Sequence, residues 1–154
     1  MSSSISVSPT LTAWVTGPAL ASGALSRLTT KVRAVATGVL HLDAFAVGLV
    51  HHDAALSDTD QSRLTELLCS SGDALPDVFA VVSPRPGTVS PWSSKATDIA
   101  RICGIDGITR VERVVVWHAA GVWSATERAE VLELLHDRMT EAVLDDLSQC
   151  ADLF

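Results

Sequence analysis

The chain is poor in the features that mark metalloproteins, nucleic-acid binders and membrane proteins. Its 154 residues hold only three cysteines, Cys69, Cys103 and Cys150, and no CxxC pair. That excludes a disulfide framework and a zinc knuckle, and it points to a reducing compartment, the cytoplasm. Net charge is −7 and there is no block of consecutive basic residues. Nucleic acid and anionic membrane surfaces both demand clustered Lys and Arg, so neither is an expected partner. The longest apolar run, Val39 to Val50, is broken by His41 and Asp43 and is too short to span a bilayer. The opening MSSSISVSPTL has neither the basic start nor the apolar core of a secretion signal.

Catalytic constellations are missing as well. GxxxxGK[ST] does not occur, because Gly87 has no partner glycine before Lys95. His51, His52 and Asp53 are adjacent, so on a strand they alternate between faces, and no fourth ligand is evident. His136 and Asp137 are neighbours that would not face one another on a helix. Cys103 has no base nearby in sequence, and its helical phase points it into the core. The expectation is no catalytic set, no metal and no cofactor within these residues.

What is present is a compact, mixed domain. Hydrophobic residues make up 47% and charged residues 19%, a balance suited to one folded unit. A chain of this size buries roughly 70% of the surface its unfolded form exposes, so its core needs no staples. LTAWVTG reads as a strand, and Gly17-Pro18 opens a helix, proline suiting its first position, with Ala21, Ala24, Leu25, Leu28 and Val32 at helical spacing. Gly38 ends it. From Val39 to Val50 the even positions Leu40, Leu42, Ala44, Ala46 and Val50 are apolar, as on a half-buried strand. Ser57 with Asp60 then caps a helix carrying Leu64, Leu67 and Leu68, with Gly72 beyond it.

A second unit follows the same order. DVFAVVS is a strand, and Ser93 or Ser94 caps a helix whose inner face is Ala96, Ile99, Ala100 and Cys103. ITRVERVVVWH is a long β-branched strand. Ser124 with Glu127 forms a capping box before a helix lined by Leu132, Leu135, Met139, Ala142 and Val143. The fold class is therefore α+β, with two strand–helix–strand–helix pseudo-repeats of ferredoxin-like character over residues 12–73 and 74–147. Each half forms a small sheet with helices on one face, and the halves bury their faces against each other as one cooperative unit. Residues 1–11 read as a flexible start.

The stretch RPGTVSPWSSKATDIARICG departs from this Ala, Leu and Val background. Pro84, Pro86 and Pro91 stiffen the loop, and Gly87 permits a backbone angle closed to other residues. Three readings stand side by side: a well-capped helix behind an ordered loop, an anion site at the helix N-terminus, and a docking surface that presents Trp92 and Arg85.

The same stretch carries a resemblance. Pro84 to Ala100 match, almost without a break, the run PRPGTxSPWSSKATDIAxxCG of the N-terminal domain of the large, single-chain phosphoribosylformylglycinamidine synthases. RVER at Arg110 to Arg113 and LHDRMTE at Leu135 to Glu141 match two further motifs in order and spacing, with weaker support from GPALASGALSRL. Val114 stands where the family usually has glycine, and VVWH replaces a more Tyr-rich strand end.

The resemblance implies a domain similar to a fused dimer of the small subunit of multi-subunit synthases, ending near residue 147, with 148–154 opening a linker. It implies an adaptor that couples a glutaminase domain to a synthetase domain during ATP- and glutamine-dependent amidine formation on formylglycinamide ribonucleotide. ATP and magnesium would belong to the full-length enzyme, and residues 1–154 alone would be inactive. The partners would be the synthetase and glutaminase domains of the same enzyme. Arg85, Thr88, Trp92, Ser93, Ser94, Lys95, Thr97 and Asp98, with Arg113 and Arg138, are the expected interface or anion-facing residues. The alternative is a stand-alone anion- or nucleotide-binding homologue that uses the Ser94–Lys95 helix end. Both a fragment and a complete homologue fit the sequence.

Overall fold

The computed structural model describes residues 4–154. In chain order the elements are β1 (Ser4–Ser8), β2 (Leu11–Pro18), α1 (Ser22–Val35), β3 (Val39–His52), α2 (Asp58–Leu67), β4 (Ala80–Pro84), α3 (Pro91–Ile102), β5 (Ile108–Gly121), α4 (Ala125–Leu135), β6 (Glu141–Leu144) and a short 3-10 helix, Leu147–Leu153. The fold is α+β, as the strand–helix alternation implies. Six strands form one sheet in the order β1-β2-β3-β5-β4-β6, and every neighbouring pair is antiparallel.

The inner four strands, β2-β3-β5-β4, are symmetric about the β3–β5 pair. The starts of β2, α1 and β3 (Leu11, Ser22, Val39) recur at one constant interval as the starts of β4, α3 and β5 (Ala80, Pro91, Ile108). The halves are thus joined edge to edge rather than face to face, by a ladder running from Val39 opposite Gly121 to His52 opposite Ile108. Where β3 starts and β5 ends the backbones nearly touch. A Cβ on Gly38 would lie 2.0 Å from the Val122 carbonyl oxygen, and one on Gly121 would lie 2.1 Å from that of Gly38.

Both faces of the sheet are buried, which explains why its central strands are apolar at odd and even positions alike. One face carries all four helices. Val32 of α1 and Val131 and Leu135 of α4 pack with Leu42, Ala44 and Trp117, while Leu64 of α2 and Ala100 of α3 pack with Trp14, Val50 and Val111. The other face, built from Leu11, Val15, Val47, Leu49, Val81, Val114 and Val116, is covered by Leu147, Cys150 and Leu153. Those three recur at the period of a 3-10 helix. The segment expected to open a linker therefore packs on the core, and residues 4–8 of the expected flexible start pair with β2 and pack Ile5 and Val7 on the same cluster.

Other expectations change register: Pro18 does not open α1 but ends β2 opposite Phe45, and the helix starts at Ser22. Leu40 is 73% exposed because the ladder slips between Val39 and His41, turning the side chain away from the core. The N-cap of α3 is Ser90, not Ser93 or Ser94, with Pro91 in the first turn. The inner face of α3 is Ala100 with Ser93 and Thr97, whose hydroxyls bond to β5, leaving Ile99 and Cys103 exposed. The Ser124–Glu127 capping box forms in both directions, but α4 stops at Leu135. Met139 is then 82% exposed, and Ala142 and Val143 belong to edge strand β6. His136 and Asp137 accordingly lie past the helix.

Candidate functional site

The unusual stretch folds as a turn and a helix. Arg85 N–H reaches the Thr140 carbonyl at 3.2 Å, and the Arg85 carbonyl accepts from Thr88 N–H and from the Thr88 hydroxyl at 3.1 and 2.6 Å. Gly87 sits at φ +84° inside this turn, a conformation that favours glycine. Ser90 then caps α3, its hydroxyl accepting from Ser93 N–H at 3.0 Å.

Beneath the turn lies a buried polar network. Glu112 is 1% exposed. It accepts from Arg110 Nη2 at 2.5 Å, from the Ser90 hydroxyl at 3.2 Å and from Arg113 N–H at 2.9 Å. The Arg110 guanidinium also donates to the carbonyls of Leu153 and Thr88 at 2.7 and 2.9 Å and to the Ser93 hydroxyl at 3.2 Å. The Ser93 hydroxyl donates to the Val111 carbonyl, and Thr97 bridges the Ser93 carbonyl and Val111 N–H. Phe154 lies against this cluster, stacked on His51 at 5.1 Å and 5.2 Å from the Arg110 guanidinium. Burial, with the neighbouring His52, holds the His51 imidazole below its ordinary pKa.

On the helix-bearing face the same stretch borders a groove. It has a volume of about 450 Å³ and runs between α2 and α3. Thr16, Ala46, Gly48 and Val111 form its floor, Leu64, Leu67 and Leu68 one wall, and Trp92, Ala96 and Ile99 the other. Lys95, Arg113 and Cys69 stand at its edges. Arg113 lies over the half-buried Trp92 ring, 4.9 Å from its centroid. Among the described residues neither Lys95 nor Arg113 stands in an ion pair.

The expected site residues therefore divide. Trp92, Lys95 and Arg113 come together at the groove. Arg85, Thr88, Ser94 and Asp98 are exposed on the turn and the outer side of α3. Ser93 and Thr97 are buried at 0% and 7% exposure, so their hydroxyls tie α3 to β5 rather than facing outward. Arg138 lies past α4, 3.5 Å from Glu133 with both largely in solvent, outside the groove.

Donors for an anion are few at the start of α3. Pro91 has no N–H, Ser93 N–H is taken by the Ser90 hydroxyl and Ser94 N–H by the Ser90 carbonyl. Ser90, Arg110 and Glu112 were not among the expected site residues. Pro91 at the first helical position marks Ser90 as the cap, and Arg110 and Glu112, two apart on a strand, share a face.

Among the described residues no group of His, Cys, Asp or Glu is placed to hold a metal ion, and no helix is long and apolar enough to cross a membrane. Fold and site together define an α+β module of two fused, twofold-related halves, with one grooved helix pair. Residues 46–154 match the family described as formylglycinamide ribonucleotide amidotransferase N-terminal, and the chain belongs to that family. Formylglycinamide ribonucleotide amidotransferase is phosphoribosylformylglycinamidine synthase, of purine biosynthesis. The matched region begins within β3, and β2 and α1 complete the twofold before it.

Proposed function

We propose that this chain is the adaptor domain of phosphoribosylformylglycinamidine synthase, docking on the synthetase and glutaminase domains so that ammonia release is coupled to amidine formation. In this reading ATP and magnesium act in the synthetase domain, glutamine is hydrolysed in the glutaminase domain, and the adaptor supplies neither nucleophile nor cofactor site. The setting is the cytoplasm. The observation that carries the reading is how the 85–98 stretch is held. Arg110 and Glu112 lock it from inside, while Trp92, Lys95 and Arg113 stay at the surface. A rigid, outward-facing aromatic and cationic patch loses little entropy on association, which favours protein docking. The shortage of N–H donors at the start of α3 argues against an anion pocket there.

The test supplies residues 1–154 in trans to a synthase of this family that lacks its N-terminal domain. Binding and glutamine-dependent turnover are expected to return, while the chain alone neither hydrolyses ATP nor releases ammonia from glutamine. Lys95→Ala should weaken association at unchanged melting temperature, because a cation near a helix N-terminus does not help the helix. Trp92→Ala should weaken it further, by about 2 kcal/mol or more, with some loss of stability because the ring packs on the Leu64–Ala100 cluster. Failure of the parent chain to bind or restore turnover would refute the adaptor role.

A further inference from the structure

The twofold places an unlike pair of residues at each of two related positions. The interval that carries Val39 to Ile108 carries Gly48 to Trp117, and the interval from Ser22 to Pro91 carries Gly23 to Trp92. Glycine and tryptophan have changed places. In the α1–α4 half the indole rises from the sheet: Trp117 is 3% exposed and packs with residues of both helices, which also touch each other. In the α2–α3 half the sheet position is Gly48 and the indole is Trp92 on the helix, at the edge of the space. Leu68, at the end of α2, leans over Gly48, its methyl carbons 3.2 Å from where a Cβ would stand, and the groove is the space left open beside it. Ala46 opposite Val115 of the other half repeats the pattern, small on the groove floor and larger where the space is closed.

We infer that this groove receives an amphipathic segment of the partner enzyme, with an apolar side chain entering over Ala46 beside Leu68 and flanking carboxylates meeting Lys95 and Arg113. The inference rests on the adaptor reading and names the chemistry of the surface that docks. Three features select this occupant. Ala46 on the floor is half-exposed, so an apolar side chain entering the groove can reach it. Leu67 and Ile99, on opposite walls, remain 38% and 45% exposed, an apolar rim that a covering segment would bury. The charged side chains of the lining are both cationic, in a chain of net charge −7, and among the described residues no carboxylate pairs with either. An acidic segment supplies that complement and would be repelled by most of the remaining surface, which favours this one register.

The experiment uses residues 1–154 with the family's synthase lacking its N-terminal domain, and follows alkylation of each cysteine by N-ethylmaleimide with peptide mapping. Cys69 lines the groove, and Cys103 is exposed outside it and serves as the internal reference. In the complex Cys69 is expected to react at least about tenfold more slowly while Cys103 keeps its rate. Ala46→Leu, which fills the floor, and Lys95→Glu, which inverts one rim charge, should each weaken binding at least about tenfold, or about 1.4 kcal/mol. Their melting temperatures should stay at the parent value, and added salt should weaken the parent complex. A complex that leaves Cys69 reactive, or that forms equally with Ala46→Leu, overturns the groove proposal and leaves the adaptor reading standing. If the chain alone self-associates and Ala46→Leu makes it monomeric, a second copy is the occupant and the proposal falls. No complex at all overturns the adaptor reading and the groove proposal together.

Discussion

Arg110→Met tests whether the buried network, rather than the prolines, holds the 85–93 turn in place. The substitution keeps an apolar side chain of comparable length and removes every guanidinium donor: those to Glu112, Ser93, and the Leu153 and Thr88 carbonyls. The carboxylate left behind is 1% exposed and cannot be rehydrated without opening the fold. Breaking such a pair from one side costs about 3–5 kcal/mol. The Arg110 side chain is itself 14% exposed, so the lower end, about 3 kcal/mol, is expected. At this chain length that lowers the melting temperature by roughly 6–12 °C.

The diagnostic variant adds Glu112→Gln to Arg110→Met. A neutral amide is cheaper to bury than a lone carboxylate and still accepts from the Ser90 hydroxyl and Arg113 N–H, so the double variant should be more stable than Arg110→Met alone. Urea unfolding followed by tryptophan fluorescence reports the difference, since Trp14 and Trp117 are buried. Hydrogen exchange should show faster opening at Thr88, Ser93 and Val111 in the single variant. An Arg110→Met loss under about 1 kcal/mol, or a double variant less stable than the single, would refute the reasoning.

The cysteines should divide by burial: a thiol reagent is expected to modify Cys69 and Cys103 in the native chain, with Cys150 reacting only after unfolding. Burial, with the Asp146 charge nearby, pushes the Cys150 thiol from an ordinary 9.0 up to about 12. The unfolded thiol therefore ionises first, so the folded state binds more protons and stability should fall from about pH 9 toward about pH 12. Cys150→Ala should flatten that decline in urea midpoints, and an unchanged slope would count against it. Calorimetry of the whole chain should give one transition with equal calorimetric and van't Hoff enthalpies, because the β3–β5 ladder joins the halves from end to end; two separable transitions would refute this.

Local signals were the legible ones. The strand and helix order from β2 to α4, the Ser57 and Ser124 caps and the helical spacing of Leu25, Leu28 and Val32 in α1 depend on residues within a turn or two of each other, and they stand in the structure as read. The family motif was legible for a related reason, since its identity lies in consecutive side chains. The start of α3 was also written locally, since Pro91 in the first turn marks Ser90 as its cap.

Tertiary structure decided the rest, because each remaining feature depends on a partner distant in sequence. A central strand apolar on both faces does not say which face takes helices, so the edge-to-edge union of the halves and the 3-10 cover over Val47 and Val114 were not readable. Leu40 looks like core until the bulge opposite β5 turns it out. Glu112 is an ordinary charged residue until β5, the α3 cap and Arg110 enclose it. The groove is the furthest from the sequence. The sheet sends up Trp117 in one half and only Gly48, with Leu68 leaning over it, in the other, and that difference becomes physical only when β3 and β5 pair and each helix pair closes on the sheet.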